Sequence, residues 1–275
     1  MTQILALTAA ALYGVADFAG GLATRSLSAW RVTIWSQVFG LSFLAVAIVI
    51  IGFSEVTTTD IALGALAGFF GLVGLVLLYS ALAAGSMSIV APIVGVLAAA
   101  IPVAWDLTHG GVITTSQWVG IAMAIVAVLL LVSHRSDSSV TVLILAQAFG
   151  AAVAFAVFVI AMSQTSESSG LWPLLPARLV SVPIGFAVLA ITSTAALPAR
   201  PLLRLIVFIG VADIAASSAI VLAVQRGPLG INAVISSLYP AFTVLAALLV
   251  LKERPATSQA IGIGLAILAV LLLAL

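Results

Sequence analysis

Apolar residues run through this chain in long blocks separated by short polar or Pro/Gly-containing steps. Ten blocks stand out, at 3–22, 32–52, 60–83, 87–106, 114–133, 140–163, 172–194, 202–224, 229–251 and 257–275. A helix needs roughly 20 apolar residues to cross the hydrocarbon layer of a bilayer. Lipid offers the backbone no hydrogen-bond partner, so only helices and closed barrels span it. The blocks lack the period-two alternation of barrel strands. The pattern predicts an all-α integral membrane protein with ten transmembrane helices. Met1-Thr2-Gln3 has no positive n-region and the first block contains Asp17, so it reads as a retained span rather than a cleaved signal.

The blocks repeat. Shifting the chain by 142 positions lays residues 85–131 on 227–273 without a gap, with 19 identities in 47 positions. Apolar matches are cheap in such a chain. The polar match of Thr115-Ser116-Gln117 to Thr257-Ser258-Gln259, followed by Gly120-Ile121 on Gly262-Ile263, is not. The shift maps spans four and five onto nine and ten. The polar step His134-Arg135-Ser136-Asp137-Ser138-Ser139 then divides the chain into repeats 1–133 and 140–275, joined by 134–139. Five spans is an odd number, so the second repeat enters the membrane inverted. Inverted repeats are common in secondary transporters, with the site between the halves.

Charge supports the inversion. Number each loop by the span before it. Loop one carries Arg25 and Arg31, whereas its counterpart, loop six, has only Glu167. Loop two has Glu55 and Asp60, whereas loop seven has Arg200 and Arg204. Loop four has Asp106, whereas loop nine has Lys252 and Arg254. Odd loops hold seven Lys and Arg and even loops hold one, Arg226. The positive-inside rule places odd loops in the cytoplasm and both termini outside.

Composition excludes other classes. Hydrophobic residues make up 64% and charged residues 6%, with a mean hydropathy of +1.39. Soluble domains carry about 25% charged residues. The net charge of +1 includes no basic tract, so nucleic acid is not an expected partner. Without cysteine, disulfides and thiolate metal sites are excluded. The two histidines, His109 and His134, share no metal spacing. No catalytic constellation, metal site or cofactor motif is present, and Asp17 and Asp213 lack the context of an intramembrane aspartyl protease.

Two segments carry a family resemblance. Residues 81–92, from Ala81-Leu82-Ala83-Ala84-Gly85 to Ala91-Pro92, resemble the junction of helices three and four in EamA-like members of the drug/metabolite transporter superfamily. Gln225-Arg226-Gly227-Pro228-Leu229-Gly230-Ile231-Asn232-Ala233 does so in the second half. Lys252-Glu253-Arg254-Pro255, followed by Gln259 and Gly262, is similar to the family signature between helices nine and ten. The first half departs from it, with Gly111 where the shift pairs Glu253. The resemblance implies ten helices, a central cavity, and movement of small polar metabolites or amphipathic compounds, in many relatives by export. It also implies both termini in the cytoplasm, against the charge count.

Ionisable residues deep in a membrane cost about 2.5–3.5 kcal/mol at a helix centre, so they mark cavities or pairs. Asp213 lies midway along span eight, Asp17 late in span one, and Arg178 early in span seven. Asp213 is expected in a cavity, with structural pairing as the alternative. Asp17 either joins it or reaches the interface. Arg178 either snorkels or pairs with an acid. Burial disfavours a charged carboxyl, which makes Asp17 and Asp213 the proton-coupling candidates. Tyr13 shares a helix face with Asp17, and Asn232, Ser236 and Tyr239 share one on span nine. Tyr79 and Gln147 are further inward candidates, while Ser217 and Ser218 more plausibly bond their own backbone. Pro92, Pro102 and Pro240 are candidate helix breaks, where freed carbonyls face substrate or where ordinary kinks pack. Trp105 reads as an interfacial anchor or a gate, and Trp30, Trp35, Trp118 and Trp172 read as anchors. Gly64, Gly68, Gly71 and Gly74 on span three read as close-packing positions.

The expectation is a secondary transporter of a small organic metabolite such as an amino acid or amine. It would export by alternating access on a proton or solute gradient, in the plasma or inner membrane, as a monomer or homodimer. Uptake or facilitated diffusion of a quaternary amine is the alternative. A non-transporting membrane scaffold is a second, and it predicts a dry, packed centre.

Overall fold

The computed structural model describes residues 1–52, 54–84, 87–132, 141–192, 197–251 and 257–273, and among them there is no strand. The helices are α1 (Thr2–Ala23), α2 (Ala29–Ile51), α3 (Thr58–Ala84), α4 (Met87–Thr108), α5 (Thr115–Val132), α6 (Val142–Ser163), α7 (Leu174–Ile191) and α8 (Arg200–Arg226). They are followed by α9 (Leu229–Ser236), α10 (Tyr239–Leu251) and α11 (Thr257–Leu273). Helices α9 and α10 are two halves of the ninth span, so the described helices make ten spans, as the apolar blocks predict. The connection 134–139 and the Lys252–Pro255 signature lie outside the described residues.

Local chemistry sets the helix starts. Thr57 and Asp60 form a capping box at α3, with Thr57 N–H donating to Asp60 Oδ2 (2.8 Å) and Asp60 N–H to Thr57 Oγ1 (3.1 Å). Thr114 and Gln117 repeat the device at α5, at 3.0 and 3.3 Å. That accounts for the glutamine of the Thr-Ser-Gln motif in the first half: it satisfies a backbone donor at the helix entrance. Ser28 and Thr141 accept from the third residue onward at α2 and α6.

Packing follows the small residues. On α3, Gly64 and Gly68 face the backbone of Pro173 and Ala177, while Gly71 and Gly74 face Phe158 and Phe155 of α6. The glycine row is therefore a packing face shared by α6 and α7. The outer surface stays apolar: Ile4, Val46, Phe149 and Leu268 are all exposed. Such a surface suits lipid. Six described helices are long and apolar enough to cross a membrane by themselves, and four shorter apolar ones accompany them.

The two copies of the repeated segment meet in space. Gly95 of α4 lies against the Ser237 carbonyl and the Pro240 ring, and Gly95 and Ser237 are partners in the 142-residue shift. Here they part in structure. α4 runs unbroken through both Pro92 and Pro102, so neither breaks the helix. The ninth span opens at Ser237-Leu238. Pro240 has no N–H to give Ser236, and Leu238 and Ala241 make only three-residue bonds, to Ile235 (3.2 Å) and Leu238 (2.9 Å).

Candidate functional site

A cavity of about 100 Å³ lies at the centre, bounded by α1, α3, α4, α6, α7, α8 and the broken ninth span. Its charge comes from three residues, each at least nine-tenths buried: Asp17, Arg178 and Asp213. Arg178 Nη2 donates to Asp213 Oδ2 at 2.5 Å. Asp213 and Arg178 therefore form one neutral unit between α7 and α8. Asp17 enters from α1, close enough to feel the charge of Asp213, and makes no hydrogen bond or ion pair among the described residues. A lone carboxylate in such surroundings is costly unless a proton or a cation compensates it.

Around these charges stand rings and hydroxyls. Tyr13, Tyr239, Phe155 and Phe158 line the wall. Tyr13 Oη lies 3.1 Å from Ser217 Oγ, fixing α1 against α8. Ser236 and Ser237 also line it, and their hydroxyls donate to Ala233 (2.9 Å) and Val234 (2.7 Å) carbonyls at the helix break. Thr243 Oγ1 donates to the Gly14 carbonyl at 3.0 Å, tying α10 to α1 beside Tyr13. The break in span nine thus faces the cavity. Ala98 of the unbroken α4 lies across from it, in the shift position of Pro240.

One face of the bundle is tied together by hydrogen bonds between its loops. The Asp60 carboxylate reaches across to loop six, where Oδ1 accepts from Ser166 N–H and Oδ2 from its hydroxyl, both at 2.7 Å. Trp172 Nε1 donates to the Gly52 carbonyl at 3.3 Å, and Asp106 Oδ2 accepts from Gly230 N–H at 2.9 Å. Gln225 Nε2 donates to Thr165 Oγ1 (2.8 Å) and the Gly170 carbonyl (3.1 Å). All of these belong to even-numbered loops or the helix ends beside them.

A model of the EamA-like transporter family matches residues 1–133 and again 140–275. The chain belongs to the EamA-like transporter family. It is accordingly a multi-pass membrane transporter of the drug/metabolite type, a non-enzymatic class acting on small molecules within lipid. A solved structure titled "Crystal structure of protein" superposes with a TM-score of 0.81, covering 98% of this chain and 95% of that one. The two share 16% identity, so the likeness speaks for the fold alone. No curated protein matches the chain.

Within this EamA-like chain, the cavity gathers Tyr13, Asp17, Asp213, Ser236 and Tyr239 from the sequence candidates, and adds Arg178 as the partner of Asp213. Others lie elsewhere. Asn232 spends its amide on the Ala223 and Pro228 carbonyls, both at 3.0 Å, closing the α8–α9 corner. Tyr79 is buried against Gly20, and Gln147 is half-buried on α6; neither lines the cavity. Trp105 is 38% exposed and stacks on His109 at 4.1 Å, so it is not a gate in this conformation. Pro92 and Pro102 both lie within the unbroken α4 and are not breaks. Trp35 stands within α2 rather than at its end and packs edge-on against Phe186 at 5.5 Å. Pro240 alone of the candidate prolines coincides with a broken helix. Phe155, Phe158 and Ser237 were not singled out in sequence, because an aromatic or serine in a membrane helix carries no distinguishing signal. Among the described residues no group of three or more His, Asp or Glu is placed to hold a metal.

Proposed function

We propose that the chain is a secondary transporter that exports a small amine or amino acid through this cavity. The carrying observation is the pairing pattern: Arg178 neutralises Asp213, which leaves Asp17 as the acid without a partner among the described residues, between aromatic walls. An ammonium group answers both features, by charge toward Asp17 and by cation–π contact with Tyr13 and Tyr239. The repeats 1–133 and 140–275 rock about the centre, with loop 134–139 as their connection, and a proton or solute gradient drives the cycle. Asp17 and Asp213 are the groups able to exchange a proton for the substrate. Export follows the habit of the family, and the plasma or inner membrane is the assigned location. The scaffold alternative requires a packed centre, and the cavity speaks against it. A ligand-induced thermal-shift screen across amino acids, amines, nucleosides and sugars tests the reading. Amines or amino acids should raise the melting temperature of the wild type and not of Asp17→Asn. A shift caused only by nucleosides or sugars would overturn it.

A further inference from the structure

Between α2, α7 and α8 lies a second set of buried polar side chains, which meets the cavity wall at Arg178. Thr33 and Gln37 of α2 and Ser181 of α7 are 0%, 1% and 1% exposed. Thr33 Oγ1, both amide atoms of Gln37, Ser181 Oγ and Arg178 Nε make no hydrogen bond among the described residues. Leaving a buried polar group unpaired costs about 1–3 kcal/mol, so a cluster of five such atoms demands a reason. Neighbouring hydroxyls do not share the condition: Ser36 bonds the Thr33 carbonyl at 2.9 Å and Ser218 that of Ile214 at 2.7 Å. Thr33 and Ser181 have the same local option and do not take it.

The packing register orders these groups. Ile34 of α2 lies against Gly185 of the antiparallel α7, which brings Gln37 and Ser181 to nearly the same height. Gly210 of the parallel α8 lies against Ser36 and Gly40, which sets Asp213 nearer the even-loop face than Gln37. At 1.5 Å per residue the row runs from Arg178–Asp213 through Ser181 and Gln37 to Thr33 over about 12 Å, toward the odd-loop face. Pro183, within α7, takes one backbone donor out of the same stretch. The even-loop face carries the hydrogen bonds of Asp60, Asp106 and Gln225.

We infer that the α2–α7 seam is a water route that carries protons between the odd-loop face and the Arg178–Asp213 pair. Water has three or four partners to find along the row, and it satisfies the orphaned donors and acceptors that no side chain reaches. The charged and titratable groups at its inner end are Arg178 of α7, Asp213 of α8, Asp17 and Tyr13 of α1, and Tyr79 of α3. The seam gives protons a path separate from the aromatic-walled cavity. Its use in coupling rests on the transporter reading; its existence does not.

The chain contains no cysteine, so single cysteines report cleanly. Thr33→Cys, Gln37→Cys and Ser181→Cys would be reacted in sealed vesicles with a charged, membrane-impermeant thiosulfonate added to one face at a time. Ser26→Cys marks the odd face and Val112→Cys the even face. A thiol in a dry apolar place stays protonated and inert, so the three should react about tenfold faster than a buried Ala151→Cys control. They should do so from the face that labels Ser26→Cys. Rates no faster than the control at all three, or labelling from the Val112→Cys face alone, would overturn the route. Ser181→Cys and Thr33→Cys change little volume, so one misfolded variant leaves the measurement standing. Labelled seams with no amine response would keep the route and sink the substrate assignment; amine response with unlabelled seams would do the reverse.

Discussion

At the even-loop face the Asp60 carboxylate accepts four hydrogen bonds, from the N–H and hydroxyl of Thr57 and of Ser166. At the centre the Asp17 carboxylate accepts none among the described residues. Both side chains are buried, at 2% and 8% exposure. One acid is committed to holding two loops together. The other is left available, at a position where availability costs stability. Arg178–Asp213 lies between these extremes, fully committed but placed on the cavity wall. On the proposed reading, the acid at the even-loop face holds loops together and the acid at the centre leaves room for a ligand.

The largest test falls on the committed pair. Asp213→Ala leaves a buried guanidinium uncompensated, a loss of about 3–5 kcal/mol. Thermal or denaturant unfolding in detergent should show it. Arg178→Met with Asp213→Leu should recover most of the loss, because no lone charge remains. If the single variant is as stable as wild type, the pair is not buried as described and the contrast fails.

Next comes the even-loop face. Asp60→Ala removes the acceptor of four donors and should cost about 2–3 kcal/mol, since bonds to a charged acceptor are the stronger kind. Ligand-induced stabilisation should persist, because Asp60 does not touch the cavity. Loss of ligand response with stability intact would show that the face and the site are not separate.

Asp17→Asn should invert that outcome. The change removes a carboxyl that has no partner among the described residues, so stability should hold or rise. Binding of an amine, read by thermal shift or by counterflow in proteoliposomes, should weaken at least tenfold, about 1.4 kcal/mol. Unchanged binding would remove Asp17 from the site.

How far these roles were legible beforehand depends on the physics behind each. The ten spans were legible because hydropathy over roughly 20 residues is a strong constraint in lipid. The inversion was legible because repeat and charge agreed. Asp213 and Asp17 were legible because a buried charge is rare enough to be noticed. Their partners were not: whether Asp213 meets Arg178 depends on the register of α7 against α8, which no local pattern encodes. Asn232 misled because an asparagine on an inward face looks the same whether it serves a ligand or a helix corner. Pro102 and Pro240 looked alike too. Only the ninth span opens, at a point that faces the cavity, while α4 absorbs its prolines within an unbroken helix. Gly71 and Asp213 make the same point. They are partners in the 142-residue shift and both line the cavity, one as a packing position and the other as a charge. The duplicated frame predicts where the site lies, and the positions at which the copies differ supply its chemistry.

The smallest effect separates geometry from charge at the even-loop face. Arg226 and Glu167 form an ion pair there at 3.3 Å, joining loops eight and six just as Gln225 does. Yet its side chains are 45% and 65% exposed. Water and salt screen such a pair, and ordering two long side chains offsets much of the attraction, so exposed pairs contribute about 0–1 kcal/mol. Glu167→Ala should therefore lower stability by well under 1 kcal/mol, with the difference vanishing at high salt. Gln225→Ala removes the donor to three acceptors from the adjacent residue and should cost more, about 1–2 kcal/mol, with little salt dependence. Paired unfolding curves at low and high salt separate the two. If Glu167→Ala proves the costlier change, the face is held by charge at its rim, and the buried acceptors of loop six are not what closes it.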